Sequence, residues 1–390
     1  SRAYVGEADL DRRVVGNVMS RLTTGQGRVV ESSRFRDGPM AELNANGALL
    51  AAIADVVRIS GDDAIVREHH NRILAIGNLI AERPEVAECG GISGRRDLWE
   101  RLPWTGVEDG FDVATNSWAA RGLAAGARLL SDQGRNEIAE RWSDAAAILR
   151  QSFRRIFVDD GRLISRRLSN GEVADSMRAT GAFDDERYRP YLPSSLPDDA
   201  PRAIEPDAVS ALPIVHGLVD PSGPIAAATL AGLDRSLWNA TGIGGYLRSP
   251  IASDPDSPGP WVFPTAWIAE AHLRAGNVDE ARRATDWLLS VGGSSLAWYE
   301  YYGARSSPPY PPIGIIAWGW AQFILLVVRG WFGLEIDADA VRIDPRLPDF
   351  RYRLGIGSHH LTVDRSAMHK SSDKSHEIPI PLESDRTVRL

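Results

Sequence analysis

The sequence predicts an all-α fold, an (α/α)6 toroid of helical hairpins followed by a short C-terminal β appendage. Three observations carry this expectation. Apolar residues recur at helical spacing in paired segments. Each pair is joined by a tight turn rich in Gly, Asp or Asn. The links between pairs are long and all fall before the first helix of the next pair. Short links make antiparallel neighbours, and long ordered loops usually carry function. Hairpins therefore stand side by side, with a candidate site at the rim where the long loops gather.

Leu43 to Ile59 is apolar at helical spacing and stops at Ser60-Gly61-Asp62-Asp63. The next helix carries Val66, Ile73, Ile76 and Ile80 on one face. The unit recurs at Val113 to Leu130, Asp132-Gln133-Gly134 and Ile138 to Phe157. It recurs at Val209 to Leu218, Asp220-Pro221-Ser222-Gly223 and Ile225 to Trp238, and again at Val262 to Leu273, Ala275-Gly276-Asn277 and Val278 to Leu289. In the last unit Gly276 suits a left-handed C-cap, and Asn277 with Glu280 resembles a capping box. A lone helix over about 9–24 precedes the four hairpins and another over about 314–333 comes after them. That makes ten helices where a closed six-hairpin ring has twelve, so the toroid is expected to span 1–333 with its first pair lying before Ser1. Inner helices should start near 42, 112, 206, 261 and 314. They should be apolar nearly all round, because they are packed on two sides. The links at 25–41, 83–111, 158–205, 239–260 and 292–313 read as loops. From 334 to 390, short alternating runs such as Leu334–Ile336, Val341–Ile343, Tyr352–Leu354 and Leu361–Val363 read as a small β-rich tail.

The chain has 390 residues, with 44 Lys and Arg against 52 Asp and Glu, for a formal charge of −8. That balance argues against nucleic acid as a partner. The run Ile313 to Val328 is uncharged but falls short of the ~20 residues a membrane span needs, so no membrane partner is expected. A single cysteine, Cys89, permits no intramolecular disulfide and reads as a small buried apolar residue. No Gly-rich phosphate loop succeeds a strand, no Gly-x-Ser-x-Gly elbow occurs, and His69-His70 and His359-His360 lack metal-ligand spacing. No cofactor or metal is implied. Compartment and oligomeric state are not specified by these residues.

Two acids stand out by their company. Glu100 closes Asp97-Leu98-Trp99-Glu100, with Trp104 close behind. An indole beside a carboxyl excludes water and raises its pKa, as a general acid requires. An ion pair with Arg95, Arg96 or Arg101 is the alternative. Glu300 sits among aromatics in Trp298-Tyr299-Glu300-Tyr301-Tyr302. Flat rings suit sugar stacking, and phenols donate to hydroxyls; a hydrophobic loop with one snorkelling acid is the alternative. Trp318 and Trp320 open the last inner helix two residues apart, so one of them is expected in the core. Arg36 and Asp37 precede an inner helix, and Arg248 comes directly after Gly244-Gly245-Tyr246-Leu247. Two carboxyls supplied from different loops would suit inverting cleavage of a glycosidic bond, which needs an acid and a base ~6.5–9.5 Å apart.

These residues resemble the glucoamylase family of six-hairpin glycosidases, over about 34–333. Asp97-Leu98-Trp99-Glu100 is similar to the family's acid loop. Arg36-Asp37-Gly38-Pro39 is similar to the segment opening an inner helix, and Gly244-Gly245-Tyr246-Leu247-Arg248 to the one supplying a substrate-binding arginine. Pro260-Trp261 through Ala271 and Trp318-Gly319-Trp320-Ala321 resemble the later inner helices. The chain departs from the pattern at Arg101, where the family has a second acid, and at Glu31, where it has a tryptophan. The family's Trp-x-Arg-Asp loop has no match. The resemblance implies an exo-acting, inverting hydrolase releasing glucose from α-linked glucosides, with Glu100 as acid and Glu300 as base. Arg36, Asp37, Trp99, Trp104, Arg248, Trp298, Tyr301 and Trp318 would line the sugar site, and the partner would be an oligo- or polysaccharide. The run around Glu300 also resembles other α-toroid glucosidases and trehalases. Asp344-Pro345-Arg346-Leu347-Pro348 resembles the segment C-terminal to the toroid in disaccharide phosphorylases and rhamnosidases. A phosphorylase, a trehalase, an α-L-rhamnosidase and a non-catalytic carbohydrate-binding toroid are therefore the alternatives. With a sugar-gripping loop expected before Ser1, the chain alone is expected to show little hydrolysis.

Overall fold

The computed structural model describes residues 8–30, 43–99, 107–177, 202–240, 242–250, 259–302, 317–336, 340–347, 351–356, 359–364, 376–379 and 386–389. The helices appear where hydrophobic periodicity places them. They are α1 (Ala8–Arg21), α2 (Leu43–Ser60), α3 (Ala64–Ala81), α4 (Pro84–Cys89), α5 (Val113–Asp132) and α6 (Asn136–Phe157). A 3-10 turn at Ala208–Ala211 runs into α7 (Leu212–Val215). Then come α8 (Pro224–Leu237), α9 (Val262–Ala275), α10 (Val278–Gly292) and α11 (Ala317–Leu325). The chain continues past α11 as a π-helical turn, Leu326–Trp331. The inner helices pack in succession, α2 on α5, α5 on α7, α7 on α9 and α9 on α11, and α3, α6 and α10 pack outside them.

The inner helices α2 and α5 touch backbone to backbone. A methyl added at Gly122 of α5 would overlap the Gly47 carbonyl of α2, and one added at Gly47 would overlap the Trp118 carbonyl. The absence of side chains at these two positions sets the spacing of the inner layer. Burial is the consequence: from Pro264 to Leu273 every residue of α9 is buried, including Glu270 and His272. Helix α2 has the length and apolarity of a membrane span, but its Leu50, Ile53 and Ala54 lie in a core shared with α3, α5 and α6. The outer helix α6 inserts Trp142 against Gly77 and Gly126, and the indole N–H donates to Asn78 at 2.9 Å.

Four local expectations are corrected. The link 83–111 contains α4, started by Pro84 at its first turn and ended by Gly90 at φ 72°. Cys89, on the last turn of this short helix, is exposed rather than buried. The capping box at Asn277 does not form; its side-chain amide lies 3.2 Å from His272 Nδ1, although Gly276 is the left-handed C-cap. The links at 83–111 and 158–205 also carry short strands: β1 (Ser93–Gly94), β2 (Gly110–Asp112), β3 (Val158–Asp159), β4 (Arg162–Leu163), β5 (Arg166–Leu168), β6 (Ser176–Met177) and β7 (Arg202–Ala203). Their pairings are antiparallel, in sheets β1-β2-β5, β3-β4 and β6-β7.

The tail adds β8 (Leu334–Ile336), β9 (Ala340–Ile343), β10 (Arg351–Ile356), β11 (His359–Asp364), β12 (His376–Pro379) and β13 (Arg386–Arg389). They form two three-stranded sheets, β12-β9-β8 and β10-β11-β13. Val341, Ile343, Leu361 and Val363 share a core with Ile59 at the end of α2 and Val328 of the π turn. The tail thus covers the C-terminal ends of inner helices.

The glycine contact supports a direct test. Gly122→Ala should cost about 1–3 kcal/mol through overpacking, read as a lower melting temperature. Gly232→Ala on α8, where an added methyl meets nothing within 4 Å, should be neutral or gain up to ~1 kcal/mol from helix propensity. Equal effects at the two sites would refute the backbone contact as the constraint on helix spacing.

Candidate functional site

The N-termini of four inner segments converge. Asp112 caps α5, its Oδ1 accepting from Thr115 N and Oγ1, both at 2.8 Å. Asp207 caps the 3-10 turn, accepting from Val209 N at 3.0 Å. Trp261 precedes α9, and Leu43 opens α2. Aspartates suit these positions because they satisfy amides that have no partner within the helix. Arg166 of β5, buried, ties the surrounding loop together by donating to the carbonyls of Glu108 at 2.7 Å, Gly94 and Arg96.

At this rim six side chains from distant segments meet. The Trp99 indole N–H donates to Asp207 Oδ1 at 2.8 Å. The Trp99 ring lies 6.0 Å from both Trp261 and Trp267. Trp261 stacks on Tyr301 at 5.3 Å with the rings 26° apart. The Arg248 guanidinium sits 4.6 Å over Trp261 and 5.8 Å over Trp99, a favourable cation–π arrangement. Backbone bonds hold each segment in place: Ala208 N to Arg248 O at 2.9 Å, Trp261 N to Tyr246 O at 2.9 Å, and Tyr302 N to Pro260 O at 2.9 Å. Trp261 and Tyr301 face each other in an isolated antiparallel bridge.

Of the residues singled out from the sequence, Trp99, Arg248 and Tyr301 are therefore brought together. Glu300 is half-buried, its carbonyl facing Val262 N at 3.4 Å. Arg36, Asp37, Glu100 and Trp104 lie outside the described residues. Trp298 is a correction. It points away into the core, 3% exposed, its N–H donated to Leu288 O at 2.7 Å and its ring 4.9 Å from Phe323. That leaves it no free face or donor for a sugar. Trp318 and Trp320 are a second correction, since neither is in the core: they are 45% and 38% exposed, and Trp320 donates to Leu296 O across the rim.

The sequence reading missed Asp112, Arg166, Glu205 and Asp207. With Asp97, Trp99, Ser165 and Val209, three of them line a cleft of about 460 Å³ beside the aromatic cluster. Glu205 Oε1 accepts from Ser165 N and Oγ, while Oε2 is buried with no hydrogen-bond partner among the described residues. Burial pushes the Glu205 carboxyl up to about 7, reinforced by the charge of Asp207 and opposed by the Ser165 hydrogen bonds. Burial, with Asp97 nearby, likewise raises Asp112 to about 6. Glu205 and Asp112 thus bind protons in the fold that they release in the unfolded chain, whose values are 4.5 and 3.8. Stability is fully present below those values and is lost as pH rises towards about 6 and 7. Glu205→Gln should flatten that decline, and at pH ~8 the variant should exceed the parent by about 1–3 kcal/mol. Denaturant midpoints across pH would check this, and parallel profiles for the two proteins would contradict it.

No family model matches this sequence, and no curated protein does. Solved structures are similar to it at low identity. A glycosidase in complex with glucose superposes with a TM-score of 0.56 at 15% identity, covering 82% of this chain and 79% of its own. A Bacillus rhamnosidase gives 0.52 at 13%, over 99% of this chain and 38% of its own. A bacterial glucoamylase complexed with acarbose gives 0.50 at 12%, over 74% of this chain and 40% of its own. The chain thus spans less than half the length of the last two. This likeness, with the helical order above, shows the fold: an (α/α)6 toroid of the six-hairpin kind, with short β elements.

Proposed function

We propose that the chain is a glycoside hydrolase acting at this rim on α-linked glucosides with inversion, Glu100 serving as general acid and Glu300 as base. One observation carries the reading. Trp99 and Tyr301, the chain neighbours of the two acids, both lie against Trp261. Loops about 200 residues apart in sequence are thereby tied to a single rim. An inverting reaction needs this kind of arrangement, with an acid and a base supplied from opposite walls and room for a water between them. The partly exposed ring of Trp99 and the Arg248 guanidinium add an apolar face and a hydrogen-bond donor suited to a sugar ring and its hydroxyls, with Trp261 packed behind them. Arg36, Asp37, Trp104 and Trp318 complete the proposed sugar site, and Trp298 is dropped from it. The glucose found with one structural neighbour and the acarbose with another support a saccharide as the ligand class. In the proposed cycle the acid protonates the leaving oxygen while the base removes a proton from attacking water, so the product anomer is opposite to that cleaved.

Asp207 acts in this scheme as a positioning residue, because it holds the indole adjoining the acid. In a form of the protein that hydrolyses maltose or isomaltose, Glu100→Gln and Glu300→Gln should each lower kcat by about 10²–10⁴-fold with the fold intact by circular dichroism. Asp207→Asn, which keeps an acceptor for Trp99, should retain more activity than Asp207→Ala, for which about 10²-fold loss is expected. Proton NMR of the first product should show the inverted anomer. Unchanged rates in both glutamine variants would overturn the assignment, and a retained anomer would overturn inversion.

A further inference from the structure

A second cleft, of about 600 Å³, opens between the N-termini of α2 and α5. It shares Asp97 and Asp112 with the first cleft, so the two meet at that wall. Its lining includes four arginines, Arg28, Arg83, Arg95 and Arg96. The chain as a whole carries a formal charge of −8, so this concentration runs against the overall balance. The arginines stand on anchored loops. Asn46 of α2, buried, donates to Gly27 O at 2.8 Å and accepts from Val29 N at 3.2 Å, fixing the turn that bears Arg28. Asn116 of α5, also buried, accepts from Ile92 N at 2.7 Å and donates to Ile92 O at 2.9 Å, fixing the start of the loop that bears Arg95 and Arg96.

The acidic groups here are largely committed within the protein. Asp112 Oδ1 caps α5, and Asp97 Oδ1 accepts from Trp99 N at 3.0 Å. Arg83 pairs with Glu85. The guanidinium groups of Arg28 and Arg95 make no hydrogen bond or ion pair among the described residues. Two arginines of one cleft lining whose guanidinium forks are uncommitted among the described residues match the planar, bidentate demands of an oxyanion.

We propose that this cleft is an oxyanion subsite for a carboxylate or sulfate carried on the saccharide, so that an acidic glycoside is bound in preference to its neutral counterpart. The proposal rests on the reading of the first cleft as a saccharide site. It adds a discrimination that the aromatic cluster cannot supply, because stacking faces do not distinguish a hydroxymethyl from a carboxylate.

The test is calorimetric titration of the whole chain with p-nitrophenyl α-glucuronide and p-nitrophenyl α-glucoside, which differ only at that carbon, and with inorganic phosphate. The glucuronide should bind at least about tenfold more tightly than the glucoside at low salt, a gap of ~1.4 kcal/mol. That preference should vanish in Arg28→Gln/Arg95→Gln while glucoside affinity stays unchanged. Both arginines sit at solvent-accessible positions, and a melting curve verifies that the variant folds. Equal affinities in the parent, or a preference that survives the double substitution, would overturn the proposal. If phosphate binds through the same arginines and accelerates glucoside cleavage with release of a glycosyl phosphate, the oxyanion is free phosphate and the sugar-borne assignment falls. If phosphate binds through those arginines and neither glycoside binds, the saccharide reading of the first cleft fails while the oxyanion site stands. If nothing binds, both fail.

Discussion

Backbone contact between α2 and α5 at Gly47 and Gly122 is the constraint on which the rest of the structure depends. Helices this close are covered on both sides, and most residues along α2 and α5 are buried. Asn46 and Asn116, which remain inside, are bonded to backbone neighbours. Chemistry is left to the helix ends. There the free amides of the first turns and the positive end of each helix dipole favour anionic groups, and Asp112 and Asp207 occupy those positions. The loops that precede the inner helices are then the only segments long enough to bring distant side chains over the same ends.

The opposite ends are closed differently. Glu270 of α9, fully buried, accepts from Gln322 Nε2 at 3.1 Å and lies 3.4 Å from Arg329 and 3.5 Å from Arg274. Arg274 also pairs with Glu335 of β8 at 2.6 Å. Burial alone would raise Glu335, but Arg274 and Arg329 hold it below its ordinary value. Breaking one partner of such a buried group is costly, so the network fixes the β tail to α9 and the π turn. Trp267 links the two ends: its indole N–H donates to Gln322 at 3.0 Å while its ring lies beside Trp99. A rigid path thus joins the anchored tail to the wall of the candidate site.

The helical plan was legible because the inner helices are apolar all round and their turns carry glycine and aspartate. The observed starts at Val113, Ala208 and Val262 lie within about two residues of those read from the sequence. Helix α4 was legible in hindsight from Pro84 and Gly90, which mark its two ends, but six residues give too few turns for periodicity to register. At the site, Trp99, Arg248 and Tyr301 were legible through motif and company. Trp298 was not distinguishable from Tyr301 by composition; the bridge to Trp261 sets Tyr301 against that indole, while Trp298 packs on Phe323 in the core. Asp207 carries the ordinary signal of an N-cap, and nothing local shows that its partner is an indole 108 residues away. Glu205 was invisible for the same reason, since its partner Ser165 comes from another loop.

Loops from the two halves of the chain are proposed to build one saccharide site over the converging helix N-termini. The most direct measurement of this is a crystal structure with a gluco-configured inhibitor bound. The inhibitor ring should lie against Trp99, with the Glu100 and Glu300 carboxyls on either side of it, ~6.5–9.5 Å apart. Carboxyls separated by more than about 12 Å, beyond the inverting range, or an inhibitor bound away from Trp99, would contradict it.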